Sequence, residues 1–334
     1  MRQLFFTFMI ILYSYFLYSQ HIYKTISEAL LNPDDVQILD LSYQAYDSLP
    51  DDLYKFRNLR ELHLRGNQLK YLPPEIVFLS NLQILDLSDN QIEYLPFEIY
   101  KLENLKVLIL NNNNLDSLPT SMDGLINLNV LDISNNKFYF FPSVLCKLPN
   151  LKELYFSQNF LSDIPENYTM SSIEILDLSY NNFMSFPIAI FNCHNLRRLI
   201  LTGNQISHLP DDITGLEQLQ YLDISFNQIT SLPSGIKSLK SLEYLICNNN
   251  KIKTIPDSII ELTRLKYLDL SHNILLSIPP SLAHIPHCID INLTYNHLNN
   301  LPLDFKNAKS LKYIGISNNN LTVIPIELQK FKLY

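Results

Sequence analysis

A chain of 334 residues with 47% hydrophobic and 17% charged side chains can bury a continuous core, which excludes an intrinsically disordered protein. A formal net charge of -8 without any cluster of Lys or Arg disfavours nucleic-acid backbones and anionic lipid surfaces as partners.

The chain opens on a single charge, Arg2, followed by an apolar run from Leu4 to Tyr18 that ends at Ser19-Gln20. At about fifteen residues the run is shorter than the roughly 20 that cross a bilayer as a helix. Residues 1–19 are therefore expected to be an export signal. Leu17 stands where a small residue is preferred for cleavage, so an uncleaved membrane anchor is the alternative. Residues 20–35 carry Ile22, Ile26, Ala29 and Leu30 at helical spacing and are expected to cap the amino-terminal end of the folded domain.

From residue 36 to residue 334 the sequence is periodic. Asn recurs at 67, 90, 113, 136, 159, 181, 204, 227, 250, 273, 296 and 319, with Gln44 one turn earlier in the same frame. Every interval is 23 residues except that from Asn159 to Asn181, which is 22, with the gap near Tyr168 to Met170. A Pro lies six residues after each of these thirteen positions, from Pro50 to Pro325. Within a turn, Leu85-Asp86-Leu87-Ser88 alternates with period two, which predicts a short strand with Leu inward and Asp and Ser outward. The Asn sits where the chain leaves the strand, and its amide can satisfy backbone groups that no strand partner reaches. Acids gather just after the Pro (Asp51, Asp52, Glu75, Glu98) and Lys lies later (Lys55, Lys101, Lys147). That polarity predicts a short helix on the opposite, convex side.

The unit LxxLxLxxNxLxxLPxxIxxLxx, seen in Leu82, Leu85, Leu87, Asn90, Ile92, Leu95, Pro96, Ile99 and Leu102, resembles the leucine-rich-repeat family in its 23-residue Leu-Pro class. The stretch KTISEALLNPDDVQILDLS is similar to the entry segment of exported bacterial members. The resemblance implies an α/β solenoid of thirteen turns, a horseshoe with a parallel concave sheet and short convex helices. It also implies a protein-binding role and an exported location, whether periplasm, cell surface or secreted. Exported bacterial relatives that act as ubiquitin ligases carry a separate catalytic domain with a nucleophilic Cys, and no such domain is expected here.

No chemistry of reaction is visible. Cys193, Cys247 and Cys288 occupy inward repeat positions and Cys146 lies beside one, which predicts core thiols without disulfides. The cluster of His284, His287, Cys288, Asp290, His272 and His297 invites a zinc site, but the repeat phase spreads these side chains over different sides of the turn. No metal, cofactor or small-molecule substrate is expected. A solenoid supplies no deep cleft that pairs a nucleophile with a base, so the chain is not expected to be an enzyme. At the carboxy terminus Phe331 and Leu333 keep the repeat phase, and the chain is expected to stop where a fourteenth strand would begin, without a cap.

Function is then sought on outward strand positions. Four residues before the ladder Asn, Asp occupies every second turn from Asp40 to Asp269, as Leu-Asp-Leu-Ser commonly does in this family, where the Asp can bond the Ser two residues on. Six residues before the Asn, Tyr221, Tyr244, Tyr267 and Tyr313 gather toward the carboxy-terminal half. Tyr is a good strand residue, which is the structural explanation of that row. Exposed aromatic rows on a concave sheet also suit a protein partner. The expected partner-binding residues are Ile200, Tyr221, Asp223, Tyr244, Ile246, Tyr267, Asp269 and Tyr313, the carboxylates favouring a partner with a basic rim. Two alternatives are a cytoplasmic or membrane-tethered signalling scaffold, and a structural or glycan-binding surface protein, the latter disfavoured by the absence of Trp.

Overall fold

The computed structural model describes residues 21–324 and 326–334, so the expected signal at residues 1–19 lies outside the described residues. Each turn contributes one three-residue strand, from β2 (Ile38–Asp40) to β14 (Tyr313–Gly315), and all thirteen lie parallel in one sheet whose order follows the chain. The central Leu or Ile of each strand points inward and is buried, and the flanking residues point outward. Register advances by 23 residues, Ile38 facing Glu61 and so on along the sheet. It survives the short repeat, where β7 (Glu153–Tyr155) pairs with β8 (Ile175–Asp177) through Glu153 and Ile175.

The ladder of Asn side chains closes each turn. Asn227 donates from Nδ2 to the carbonyls of Leu201, Ile224 and Ser225 at 2.9 to 3.1 Å, and its Oδ1 accepts the Ile206 N–H at 2.9 Å. One amide therefore ties its own strand exit to the preceding turn. The residue before each ladder position is left-handed in all thirteen turns, with φ between 52° and 59° where it is not Gly and 68° and 71° at Gly66 and Gly203. This sharp bend turns the chain inward and aims the amide at the orphan carbonyls.

The convex segments are not α-helices. They are 3-10 turns of three to five residues that begin one residue or, at Thr214–Leu216, four residues after the Pro, as in Pro74–Phe78 and Asp257–Glu261. The apolar spacing suits such turns: Ile76, Leu79 and Leu82 recur every three residues and are all buried. Ile76 lies within the 3-10 segment, and Leu79 and Leu82 follow it, each closing a further three-residue turn through its N–H to the Ile76 and Leu79 carbonyls at 3.0 Å, so that all three side chains reach the core. In the five-residue turns the repeat Pro precedes the segment and can cap it with its carbonyl, as where that of Pro73 accepts the Ile76 N–H at 3.1 Å, whereas at Thr214–Leu216 the Ile213 carbonyl takes the Leu216 N–H at 3.3 Å. Between β7 and β8 there is no helical turn among the described residues. With one residue fewer, the chain crosses from Pro165 to Ile173 through two separate turns, closed by the Tyr168 N–H to Pro165 carbonyl bond of 2.9 Å and the Ile173 N–H to Met170 carbonyl bond of 3.2 Å, and Met170 fills the core.

The two ends depart from expectation in small ways. The amino-terminal segment is a strand before it is a helix: β1 (Ile22–Tyr23) pairs with β2, which turns Ile22 outward and Tyr23 inward. Only Ile26, Ala29 and Leu30 then face the core, on or just after α1 (Ile26–Ala29), whose cap Thr25 accepts the Glu28 N–H. At the carboxy terminus the fourteenth repeat strand does begin, as β15 (Lys332–Leu333) paired with Tyr313 and Ile314. The four Cys are free; Cys193, Cys247 and Cys288 are buried and Cys146 is half-buried.

Candidate functional site on the concave sheet

The two outward rows differ in chemistry because they differ in what the turn demands. In the Asp row, Asp86, Asp132, Asp177, Asp223 and Asp269 each accept the backbone N–H two residues on, at 2.9 to 3.0 Å, and at Asp86, Asp177, Asp223 and Asp269 also the Ser hydroxyl. These carboxylates cap the strand exit. Asp132 and Asp269 are 7% and 6% exposed, so the row is more framework than surface. Burial raises the Asp132 carboxyl to about 6, with the charges of Asp177 and Asp86 adding to it and the Ser134 N–H opposing it.

In the other row, β9 (Arg198–Ile200), β10 (Tyr221–Asp223), β11 (Tyr244–Ile246) and β12 (Tyr267–Asp269) bring four long side chains into one stack. Tyr221 and Tyr244 have ring centroids 6.1 Å apart and Tyr244 and Tyr267 6.5 Å, both pairs tilted. Arg198 lays its guanidinium 3.7 Å from the Tyr221 ring centroid. Tyr244 is 41% exposed and Tyr313 38%, whereas Ile200 is 6% exposed and offers little to a partner. Asp223 and Ile246 are half-buried beside the stack. Tyr313 stands apart from the other three because Asp290, on β13 (Asp290–Asn292), occupies the intervening place in the row. A shallow depression beside the stack is lined by Arg197, Arg198, Gln220, Tyr221, Glu243 and Tyr244.

Reasoning by residue type passes over Arg198, although it lies in the same row directly before Tyr221; the signal is adjacency, not identity. It also passes over His63, on β3 (Glu61–His63), at the amino-terminal end of the face. Its ring lies 3.8 Å from the Glu61 carboxylate and 4.0 Å from that of Asp86. Burial disfavours the charged ring, but these two carboxylates outweigh it and raise its pKa to about 9. A raised folded pKa means that this stabilisation is full below about pH 6.5 and is lost as pH rises through 9. Urea melts are expected to weaken by about 2 kcal/mol between pH 6.5 and 9.5, an effect absent from His63→Gln. An identical pH slope in the variant rules out His63 as the source.

Among the described residues no group of three or more His, Cys, Asp and Glu could hold a metal ion, and the sequence cluster around Cys288 is dispersed. Cys288 is buried, His284 meets Asp304 at 3.4 Å, and His272 stacks on Tyr295 with centroids 4.2 Å apart. No helix among the described residues is long and apolar enough to cross a membrane.

The family profile described as "Leucine-rich repeat region" matches residues 24–174 and 175–277, and that of "Leucine Rich Repeat" matches residues 310–331. The chain is a leucine-rich-repeat protein. No curated protein matches it. A leucine-rich-repeat protein of Leptospira interrogans superposes with a TM-score of 0.72 at 29% identity, over 94% of this chain and 100% of its own. The ectodomain of the Arabidopsis thaliana membrane receptor kinase GASSHO1/SCHENGEN3, solved in complex with CASPARIAN STRIP INTEGRITY FACTOR 2, is 27% identical with a TM-score of 0.69. It is matched over 93% of this chain but only 42% of the receptor chain. The internalin InlF of Listeria monocytogenes shares the fold with a TM-score of 0.77 at 23% identity, over 92% of this chain and 88% of its own. Leucine-rich-repeat solenoids of this kind are typically non-catalytic and serve as extended protein-binding surfaces.

Proposed function

We propose that this leucine-rich-repeat protein is an exported bacterial, non-catalytic module that recognises a protein partner across the carboxy-terminal half of its concave sheet. The observation that carries this reading is the contiguous stack of Tyr221, Tyr244 and Tyr267 on successive strands, with Tyr313 beyond it. Rigid aromatic side chains side by side on one face form the kind of surface that a protein partner buries, each ring offering large area and a hydroxyl at small entropic cost. The plant receptor ectodomain solved with CASPARIAN STRIP INTEGRITY FACTOR 2 supports a binding role, and the Leptospira relative supports a bacterial setting.

A photo-crosslinking residue placed at position 244 is expected to capture the partner, and one at position 98 on the convex side is not. Capture only from position 98 would overturn the concave-face reading. Export carries its own expectation. Intact-mass measurement of the protein recovered outside the cytoplasm should find a chain beginning near Gln20. A mass that retains Met1 excludes cleavage, and recovery in the cytoplasmic fraction favours the scaffold alternative.

A further inference from the structure

The concave face neutralises its acids unevenly. At the amino-terminal end Asp40 is paired with Lys24, while Glu61 and Asp86 share the His63 ring. In the carboxy-terminal half Asp223, Asp269 and Asp290 enter no ion pair among the described residues, and none of the outward positions of β10 to β14 carries a base. The aromatic row is bracketed by cations from the chain itself. Arg198 covers Tyr221 at 3.7 Å, and Lys332 lies 5.8 Å from the Tyr313 ring centroid at the other end. Between them Tyr244 and Tyr267 have no cation over their rings among the described residues. Beside them lie Asp269, whose Oδ2 takes the Tyr267 hydroxyl at 3.3 Å, and Asp290, whose Oδ1 takes the Tyr334 hydroxyl at 2.7 Å.

Resting on the concave-face reading above, we infer that the partner segment presents arginine or lysine side chains, and that the principal seat is the gap between Tyr267 and Tyr313, over Asp290 and beside Asp269. Arg198 on Tyr221 shows the contact from within: a guanidinium over a tyrosine ring of this row. In the gap the same contact gains the Asp290 carboxylate, whose Oδ1 already takes the Tyr334 hydroxyl, with the charge of the buried Asp269 behind it, and displaces no cation of the chain itself. Burial and the neighbouring charge of Asp269 raise the Asp290 carboxyl, opposed by the Tyr334 hydroxyl, and an incoming cation relieves that repulsion.

The test titrates the protein with blocked dodecapeptides of alternating glycine and arginine, glycine and lysine, or glycine and glutamate. The chain has no Trp, so its own tyrosine emission is one readout and calorimetry a second. The arginine peptide is expected to bind, the lysine peptide more weakly, and the glutamate peptide not at all. Asp290→Asn, which keeps an oxygen for the Tyr334 hydroxyl, and Tyr267→Ala should each weaken the arginine peptide about tenfold. Glu98→Gln on the convex side should change nothing, and a circular-dichroism melt of each variant separates lost binding from lost fold. Failure of the arginine peptide to bind, equal binding of the glutamate peptide, or unchanged affinity in Asp290→Asn would overturn the cationic occupant. A partner that crosslinks from position 244 but is not displaced by excess arginine peptide overturns it too, while leaving the concave-face reading intact.

Discussion

Replacing Asn227 by Ala is expected to destabilise the protein by roughly 1 to 3 kcal/mol, the cost of leaving buried backbone groups without partners. The side chain donates to three carbonyls and accepts the Ile206 N–H, in a position that is 8% exposed. Water cannot replace these bonds without opening the turn. Gln44→Ala is the matched control. Gln44 sits in the same frame of the first turn, but it is exposed and its amide makes one bond, to the Lys24 carbonyl at 2.7 Å. Its loss should cost less than about 1 kcal/mol. Urea melts of the two variants decide the matter, and equal losses would defeat the argument that the amide holds the turn together.

The second large effect is on binding. Truncating Tyr244 or Tyr267 to Ala should each remove at least roughly 2 kcal/mol of affinity for a crosslinked partner. Tyr244 is the cleaner of the two, because it is the more exposed and donates no hydrogen bond to Asp269, so its melting transition should barely move. Tyr267→Phe keeps the ring and removes the 3.3 Å bond to Asp269, which separates the ring's part from the hydroxyl's. Unchanged affinity in Tyr244→Ala, or affinity lost only in step with folding, would show that these rings merely cover the sheet.

Much of this architecture is legible in the residues alone, and for a physical reason. A solenoid repeats the same solution, so the pattern of Leu85, Leu87 and Asn90 is read in turn after turn and local noise averages out. The convex side is legible only in part, because the charge polarity from Asp51 to Lys55 is shared by α and 3-10 helices. The spacing of Ile76, Leu79 and Leu82 suits successive three-residue turns but does not separate the two, since positions three apart also share an α-helical face. On the candidate face, the repeat phase places the rows but not their exposure. Strands lie about 4.8 Å apart, which crowds short side chains between long ones. Ile200 and Asp269 are therefore nearly covered, while Tyr244 and Tyr313 stand out. Arg198 cannot be weighed from a row read one residue type at a time, since its role comes from the neighbouring ring.

The turn between β7 and β8 has a consequence for how the molecule comes apart. In a linear array each unit leans only on the next, and stability is close to a sum of unit and nearest-neighbour interface energies. This junction keeps its sheet hydrogen bonds but lacks the 3-10 brace that its neighbours have on the convex side. It is thus a joint at which partial unfolding is expected to divide the array. The aromatic stack from Tyr221 onward lies wholly on one side of that joint, so the carboxy-terminal block can retain its surface while the other block frays.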